Sequence, residues 1–384
     1  MALQYGKHRI EVPVVLAPMA GITNTAFRRL CREHGGGLFI SEMITSRALV
    51  ERTPESMRLI KHHPSEEIRS IQLYGVEPKT ISDAVKMLVD EDRADHIDLN
   101  FGCPVPKLTR KGGGAALPWK SELFSSIVKA AVEAAGEVPV SVKMRKGIDQ
   151  DHLTYLEAGK AARDAGVAAV ALHARTAEDY YSGQADWSAI TKLREALPDT
   201  QVLGNGDIWS ASDAVEMMKQ TGVDGVVVGR GCLGRPWLFA DLEKAILNLL
   251  SGKEQSTETS APNLGEVADA FYRHAELLTE FFEDEGRACR DIRKHVAWYF
   301  KGYPVGGEFR AALALANSLT EINTLLSTLD RTLPYPKDEA EGPRGRLGSA
   351  KSCALPDKWL ESRHLSDDHR NQLQLAELSV SGGV

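Results

Sequence analysis

Cys103 stands between Gly102 and Pro104, three residues after Asn100, where the apolar run His96 to Asn100 ends. A thiol with an ordinary pKa of about 8.5 acts as an acid or a nucleophile when a loop holds it at a cleft, although free cysteines are also common as buried hydrophobes. Lys143 lies at the end of a second run, Pro139 to Met144. Its ammonium could stabilise negative charge on a bound ring, or pair with a carboxylate such as Glu42. His173 closes a third run and either serves a site or donates to a backbone carbonyl. Gln72 carries both a donor and an acceptor, which suits an imide edge. Asn205-Gly206-Asp207 and Gly229-Arg230-Gly231 are glycine-containing turns. They could bring backbone N–H groups against phosphate oxygens, or simply turn the chain tightly.

All of these residues follow short Val/Ile/Leu-rich runs. Eight runs occur: Val12 to Ala17, Leu38 to Glu42, Arg69 to Leu73, His96 to Asn100, Pro139 to Met144, Ala168 to His173, Gln201 to Gly204 and Gly225 to Gly229. Segments with helical apolar spacing follow them, as in Pro78 to Asp90 and Glu122 to Ala135. Alternation of this kind predicts βαβ units closing into an α/β (β/α)₈ TIM barrel over residues 1–250, with functional groups at the C-terminal strand ends. An open doubly wound sheet is the competitor, but the first turn, Ala17-Pro18-Met19-Ala20-Gly21, carries no GxGxxG. Residues 251–263 are polar and read as a linker. Residues 264–333 show only helical patterns, predicting a small all-helical domain. Residues 334–384 lack periodicity and read as a largely flexible extension in which Trp359 and Leu360 could dock one segment.

The 384 residues are 43% hydrophobic and 26% charged, as in ordinary globular chains. A net charge of −7 gives no support to nucleic-acid binding by the chain as a whole, so such a partner would need a local basic patch. Five scattered cysteines without CxxC or zinc spacing point to free thiols, no metal and a reducing cytoplasm. Cys31 and Cys289 fall in helical patterns and read as core, and Cys232 as packing. No apolar stretch is long enough to span a membrane, and the N-terminus lacks a secretory h-region.

Taken in order, APMAGITNTAFRRLC (Ala17 to Cys31), IQLYG (Ile71 to Gly75), DLNFGCP (Asp98 to Pro104), VKMRKG (Val142 to Gly147), HART…YYSGQADW (His173 to Trp187), NGDI (Asn205 to Ile208) and VGRGCLGRPWLF (Val228 to Phe239) resemble the bacterial branch of the tRNA-dihydrouridine synthase family. The resemblance spans about residues 10 to 330. It implies a non-covalent FMN reduced by NADPH (or NADH), hydride transfer to C6 of specific tRNA uridines, and protonation of C5 by Cys103. It further implies that Pro18, Met19, Ala20, Gln72, Lys143 and His173 contact the flavin, and that Asn205, Gly206, Asp207, Gly229 and Arg230 surround its phosphate. Asn100 and Arg175 would lie near the uracil. Arg287, Arg290, Arg293, Lys294, His295 and Lys301, with Trp298, Tyr299 and Phe300, form the candidate tRNA-binding stretch. Lys107, Arg110 and Lys111 add charge after Cys103, and a merely solvated helix face is the alternative. Two other readings are an FMN barrel acting on free pyrimidines, with the helical domain used for oligomerisation, and an RNA-binding protein without catalysis. The flavin-loop residues argue against the binder, and the basic stretch argues against the free-pyrimidine enzyme.

Overall fold

The computed structural model describes residues 2–254, 259–345 and 348–378. Residues 255–258 of the expected linker, and 346–347 and 379–384 of the expected extension, lie outside the described residues. A two-stranded hairpin, β1 (Leu3–Tyr5) and β2 (His8–Ile10), precedes the barrel strands. These are β3 (Val14–Leu16), β4 (Leu38–Thr45), β5 (Ser70–Tyr74), β6 (His96–Phe101), β7 (Val140–Arg145), β8 (Ala169–His173), β9 (Gln201–Asn205) and β10 (Gly225–Val228). Each pairs in parallel with its neighbours, and β10 returns to β3, closing the barrel. All eight expected strands are present. Among the described residues no helix is long and apolar enough to cross a membrane.

Alternation along the strands sorts side chains into two layers. Ile97, Leu99, Phe101, Val140, Val142 and Met144 point outward into the core between strands and helices. Ala169, Ala171, Leu203 and Val227 point inward and form an apolar plug with Leu3, Tyr5, Val15, Leu38 and Ile40. The hairpin seals that end: Tyr5 is buried edge-on against His96 at 4.7 Å, and Gln4 and Gln201 exchange hydrogen bonds. Polar inward residues are left at the opposite, C-terminal end.

Residues Leu264–Phe282, Glu285–Ile292, Gly307–Leu315 and Leu319–Leu326 are α-helices of the second unit. Asn263 opens the first with a reciprocal cap to Glu266. Ala26, Leu30 and Trp237 of the barrel join Val267, Phe271, Leu278, Ile292 and Tyr299 in one apolar cluster. Ion pairs Arg29–Glu280 and Arg273–Glu33 flank that contact. The basic stretch is not one continuous helix. The helix ends at Ile292, a 3₁₀ turn covers Arg293–His295, and a short helix spans Val296–Tyr299.

The described part of the extension packs against the rest of the chain. Arg344 and Trp359 are 4% and 1% exposed, and a helix spans Asp367–Leu378. Its anchors are isolated side chains that meet distant parts of the barrel, so no local periodicity announces them.

Arg28 and Glu66 form a buried bidentate pair at 2.7 and 3.0 Å, with Arg28 also donating to the Thr23 carbonyl at 2.9 Å. Burial alone would raise the Glu66 carboxyl, but Arg28 outweighs it and holds the group below the usual carboxylate range. The pair's stability is therefore present above the ordinary value of about 4.3 and lost as pH falls through the depressed folded value. Glu66→Ala leaves a buried guanidinium unpaired and should cost about 3–5 kcal/mol at pH 7. Urea unfolding across pH 3 to 7 checks this, since the variant should also lose the acid-side slope contributed by this group.

Candidate active site

The polar end of the barrel is built from β5, β6 and β7. Gln72 Nε2 donates to Asp98 Oδ2 at 2.6 Å, and Asn100 Nδ2 donates to Gln72 Oε1 at 2.9 Å. Asn100 Oδ1 accepts from the backbone N–H groups of both Gly102 and Cys103, each at 3.0 Å. Ser141 donates to the other Asp98 oxygen. A buried carboxyl is thus linked through two carboxamides to the backbone that carries Cys103. Burial raises Asp98 to about 6, against its hydrogen bonds and the nearby Lys143, which lower it.

Lys143 lies beside this chain. Its Nζ donates to Asn205 Oδ1 at 3.0 Å, and Asn205 Nδ2 donates to the Val227 carbonyl at 2.7 Å. Glu42, the carboxylate considered as its partner, instead accepts from the backbone N–H of Gly21 at 2.6 Å. Burial lowers Lys143 to about 8; Arg145 adds to the effect and Asp98 opposes it. His173, 8% exposed, is held well below its ordinary value by burial and by surrounding cations, so its imidazole is neutral at pH 7. Burial pushes the half-buried Cys103 thiol up, while Arg145 and Lys143 pull it down. The thiol keeps its proton at neutral pH.

A cavity of about 520 Å³ opens beside β8 to β10, lined by Arg175, Tyr181, Asp207, Trp209, Arg230 and Pro343 among others. The Arg230 guanidinium stacks 4.4 Å from the Tyr181 ring and 4.9 Å from Trp209, and burial lowers it to about 10. Gly206, at φ +128°, lies where a Cβ would stand 2.7 Å from Ala185 Cβ, so no larger residue fits the turn. Asp207 pairs with Arg175 at 2.8 Å and accepts from the Ala185 backbone at 2.6 Å, which turns its charge away from an anion. Arg175 Nη1 is buried without a hydrogen-bond partner. That orphan donor, a stacked arginine and a glycine turn fit a phosphate.

Gln72, Lys143, His173 and Asn205 thus belong to one polar layer, with Asp207, Gly206 and Arg230 at the adjoining cavity. Pro18 and Met19 are half-buried in the loop after β3, with Ala20 exposed; Met19 Sδ lies 3.8 Å from where Gly229 would carry a Cβ. Two residues expected near the uracil have clear neighbours of their own. Asn100 holds the Cys103 backbone, and Arg175 lines the same cavity as Arg230. Sequence reasoning gave no role to Asp98 or Arg145. Arg145 Nε donates to the Gly102 carbonyl at 2.9 Å, and Nη1 to Thr176 and Tyr180 at 2.7 and 2.8 Å. The signal was alternation: His96, Asp98 and Asn100 on β6, and Ser141, Lys143 and Arg145 on β7, are polar at every second position.

The basic stretch divides. Arg293 donates to Asn317 at 2.9 Å and to the Ala316 carbonyl, and Arg287 lies 4.5 Å from the Phe282 ring centroid and 3.6 Å from Glu55. Lys301 donates to the backbone of Glu341 and Pro343. His295 is buried and, through burial, uncharged at pH 7. Tyr299 and Phe300 belong to the helical core. Arg290 and Lys294 are exposed, and Lys294 reaches the Gly21 carbonyl at the barrel mouth while pairing with Asp291 at 2.8 Å.

A sequence model of the dihydrouridine synthase family matches residues 15–333. A probable tRNA-dihydrouridine synthase of Mycobacterium tuberculosis (strain CDC 1551 / Oshkosh) is 52% identical over 369 residues, covering 94% of this chain and 92% of that protein. One from Mycobacterium leprae (strain TN) is 52% identical over 375 residues, covering 90% and 95%. The tRNA-dihydrouridine synthase B of Pseudomonas syringae pv. tomato (strain ATCC BAA-871 / DC3000) is 38% identical over 310 residues, covering 81% and 89%.

A base whose folded pKa is lowered carries a stability penalty below that pKa, and the penalty fades as pH rises toward the ordinary value. For Lys143 the window runs from about 8 to about 10.4. Lys143→Met should therefore stabilise the ligand-free protein at pH 7, by up to about 3 kcal/mol less what the lost bond to Asn205 contributed. Denaturation at pH 7, 8.5 and 10 checks this; the advantage should shrink across the series.

Proposed function

The chain belongs to the dihydrouridine synthase family, and from that membership we propose that it reduces uridines of tRNA to 5,6-dihydrouridine with FMN as cofactor. The observation that carries this reading is the hydrogen-bonded chain Asp98–Gln72–Asn100, which delivers a protonated thiol to the mouth beside a phosphate-fitting cavity. The chemistry supplied by FMN, when bound, is hydride transfer from NADPH, or NADH, to C6 of a uracil.

Arg230, the unpartnered Nη1 of Arg175 and the backbone around Gly206 and Gly229 would hold the phosphate, with Asp207 fixing Arg175 in place. Gln72 and Lys143 would face the imide edge of the ring, Lys143 supplying positive charge there, with Asn205 orienting its ammonium. The neutral imidazole of His173 can donate one hydrogen bond without adding charge. Pro18, Met19 and Ala20 would cover the ring from the loop after β3.

Adding hydride to C6 leaves an electron pair at C5 that must take a proton. Cys103 Sγ holds that proton, because burial keeps the thiol neutral, and Arg145 and Lys143 stabilise the thiolate left when the proton moves to C5. Water then returns a proton to the sulfur. Asn100 and Arg145 bind the backbone on either side of the Gly102–Cys103 peptide, fixing where the thiol can point. A uridine within tRNA must be unstacked to reach this mouth. Arg290 and Lys294 are exposed, and Lys294 reaches the Gly21 carbonyl in the loop after β3; both would meet phosphates around the uridine.

Two tests follow. Cys103→Ala should retain FMN, its reduction by NADPH and tRNA binding, yet slow single-turnover flavin oxidation by tRNA about 10²- to 10⁴-fold. A near-normal rate would remove the thiol from the reaction. Arg290→Ala or Lys294→Ala should weaken tRNA binding and make its salt dependence shallower by about one unit, leaving flavin reduction intact. Arg293→Ala should chiefly lower stability, since its guanidinium serves Ala316 and Asn317.

A further inference from the structure

The loop after Cys103 is built from short turns rather than one long element. It contains a four-residue helix, Pro106–Thr109, then Gly112, Gly113 and Gly114, then a 3₁₀ segment, Gly114–Trp119. Gly112 and Gly114 adopt φ of +72° and +55°. Three consecutive glycines raise the conformational entropy lost when such a loop is ordered, so contacts from elsewhere add to the backbone hydrogen bonds within it.

Those contacts come from the extension, which lies beyond the residues matched by the family. Arg344 fastens its start, donating to the Leu233 and Trp298 carbonyls at 3.0 and 2.7 Å and to Ala340. The Lys351 and Cys353 backbones then donate to Glu178, at 2.9 and 3.1 Å. Trp359 is driven into the Cys103 loop: a Cβ on Gly112 would stand 2.6 Å from the indole. Its Nε1 donates to the Ala116 carbonyl at 3.0 Å, and the neighbouring Ala115 N–H donates to the Cys103 carbonyl at 3.0 Å. The indole's anchor and the bond that holds Cys103 therefore lie on adjacent residues, Ala116 and Ala115. The far end of the loop is fixed by Lys120, 1% exposed, whose ammonium donates to the carbonyls of Trp359, Ser362 and His364 at 3.0, 2.6 and 3.1 Å. The same nitrogen lies 4.7 Å from the Trp359 ring centroid. All three ammonium donors are used by the extension, so this is a shaped receptacle rather than incidental coverage.

We infer that the C-terminal extension is a clamp on the Cys103 loop, with Trp359 and Lys120 as positioning residues that hold the thiol for proton delivery. This rests on the reading of Cys103 as the proton donor. The clamp predicts that the thiol is protected and aimed by residues that never touch substrate.

The test compares the wild-type holoenzyme with Trp359→Ala, Trp359→Phe and Lys120→Met. Peptide-resolved alkylation by iodoacetamide reads Cys103, with the fully buried Cys31 as internal control for global opening. Trp359→Ala and Lys120→Met should speed alkylation of Cys103 about tenfold or more without exposing Cys31, and slow tRNA-dependent flavin oxidation by about 10- to 10²-fold. FMN content and reduction by NADPH should stay at wild-type levels. Trp359→Phe, which keeps the wedge but loses the bond to Ala116, should fall between. If Trp359→Ala loses FMN, Lys120→Met, which leaves the indole in place, decides the matter alone. Unchanged Cys103 alkylation and unchanged oxidation in folded variants would overturn the clamp. Failure of the underlying reading looks different: Cys103→Ala would turn over normally, whatever the alkylation rates.

Discussion

A carboxyl group inside a closed barrel can be retained only if its hydrogen bonds are met, and Asp98 is the group on which this arrangement depends. Gln72 and Ser141 satisfy its two oxygens, and the carboxamide of Gln72 thereby has only one orientation to offer Asn100. Asn100 in turn presents its oxygen to two backbone N–H groups of the next loop. A single buried acceptor so sets the direction of a polar chain ending at Cys103. The apolar plug formed with the β1–β2 hairpin isolates that chain from water at the opposite end, which raises the cost of breaking any link.

The same low-dielectric interior tunes the groups at the mouth. Lys143 near 8 and Asp98 near 6 leave both charged around neutral pH, yet close enough to their titrations to respond to a ligand. His173 stays neutral among cations. The helical unit packs against Ala26, Leu30 and Trp237, and its Lys294 donates to the Gly21 carbonyl in the loop after β3.

The barrel was legible in the sequence because eight short Val/Ile/Leu-rich runs alternate with segments of helical apolar spacing. Positions such as Gln72, Lys143, Asn205 and Arg230 were visible as polar interruptions at strand ends. What was hidden is long-range pairing. The role of Arg145 as a tether to Gly102 leaves no local signature, and neither does the pairing of Gln72 with Asp98 and Asn100. The hairpin is only three residues on each strand, and the extension is anchored by single residues, Arg344 and Trp359, separated by charged and glycine-rich sequence. The basic stretch looked uniform on paper; burial sorted it, sending His295, Tyr299 and Phe300 inward and committing Arg293 to the Ala316 carbonyl.

The most direct test of the account is a position-resolved map of dihydrouridine in tRNA from cells with and without this gene. The account predicts that at least one position loses dihydrouridine in the deletion strain, regains it with the wild-type gene, and does not regain it with Cys103→Ala. Identical maps in the presence and absence of the gene would contradict it.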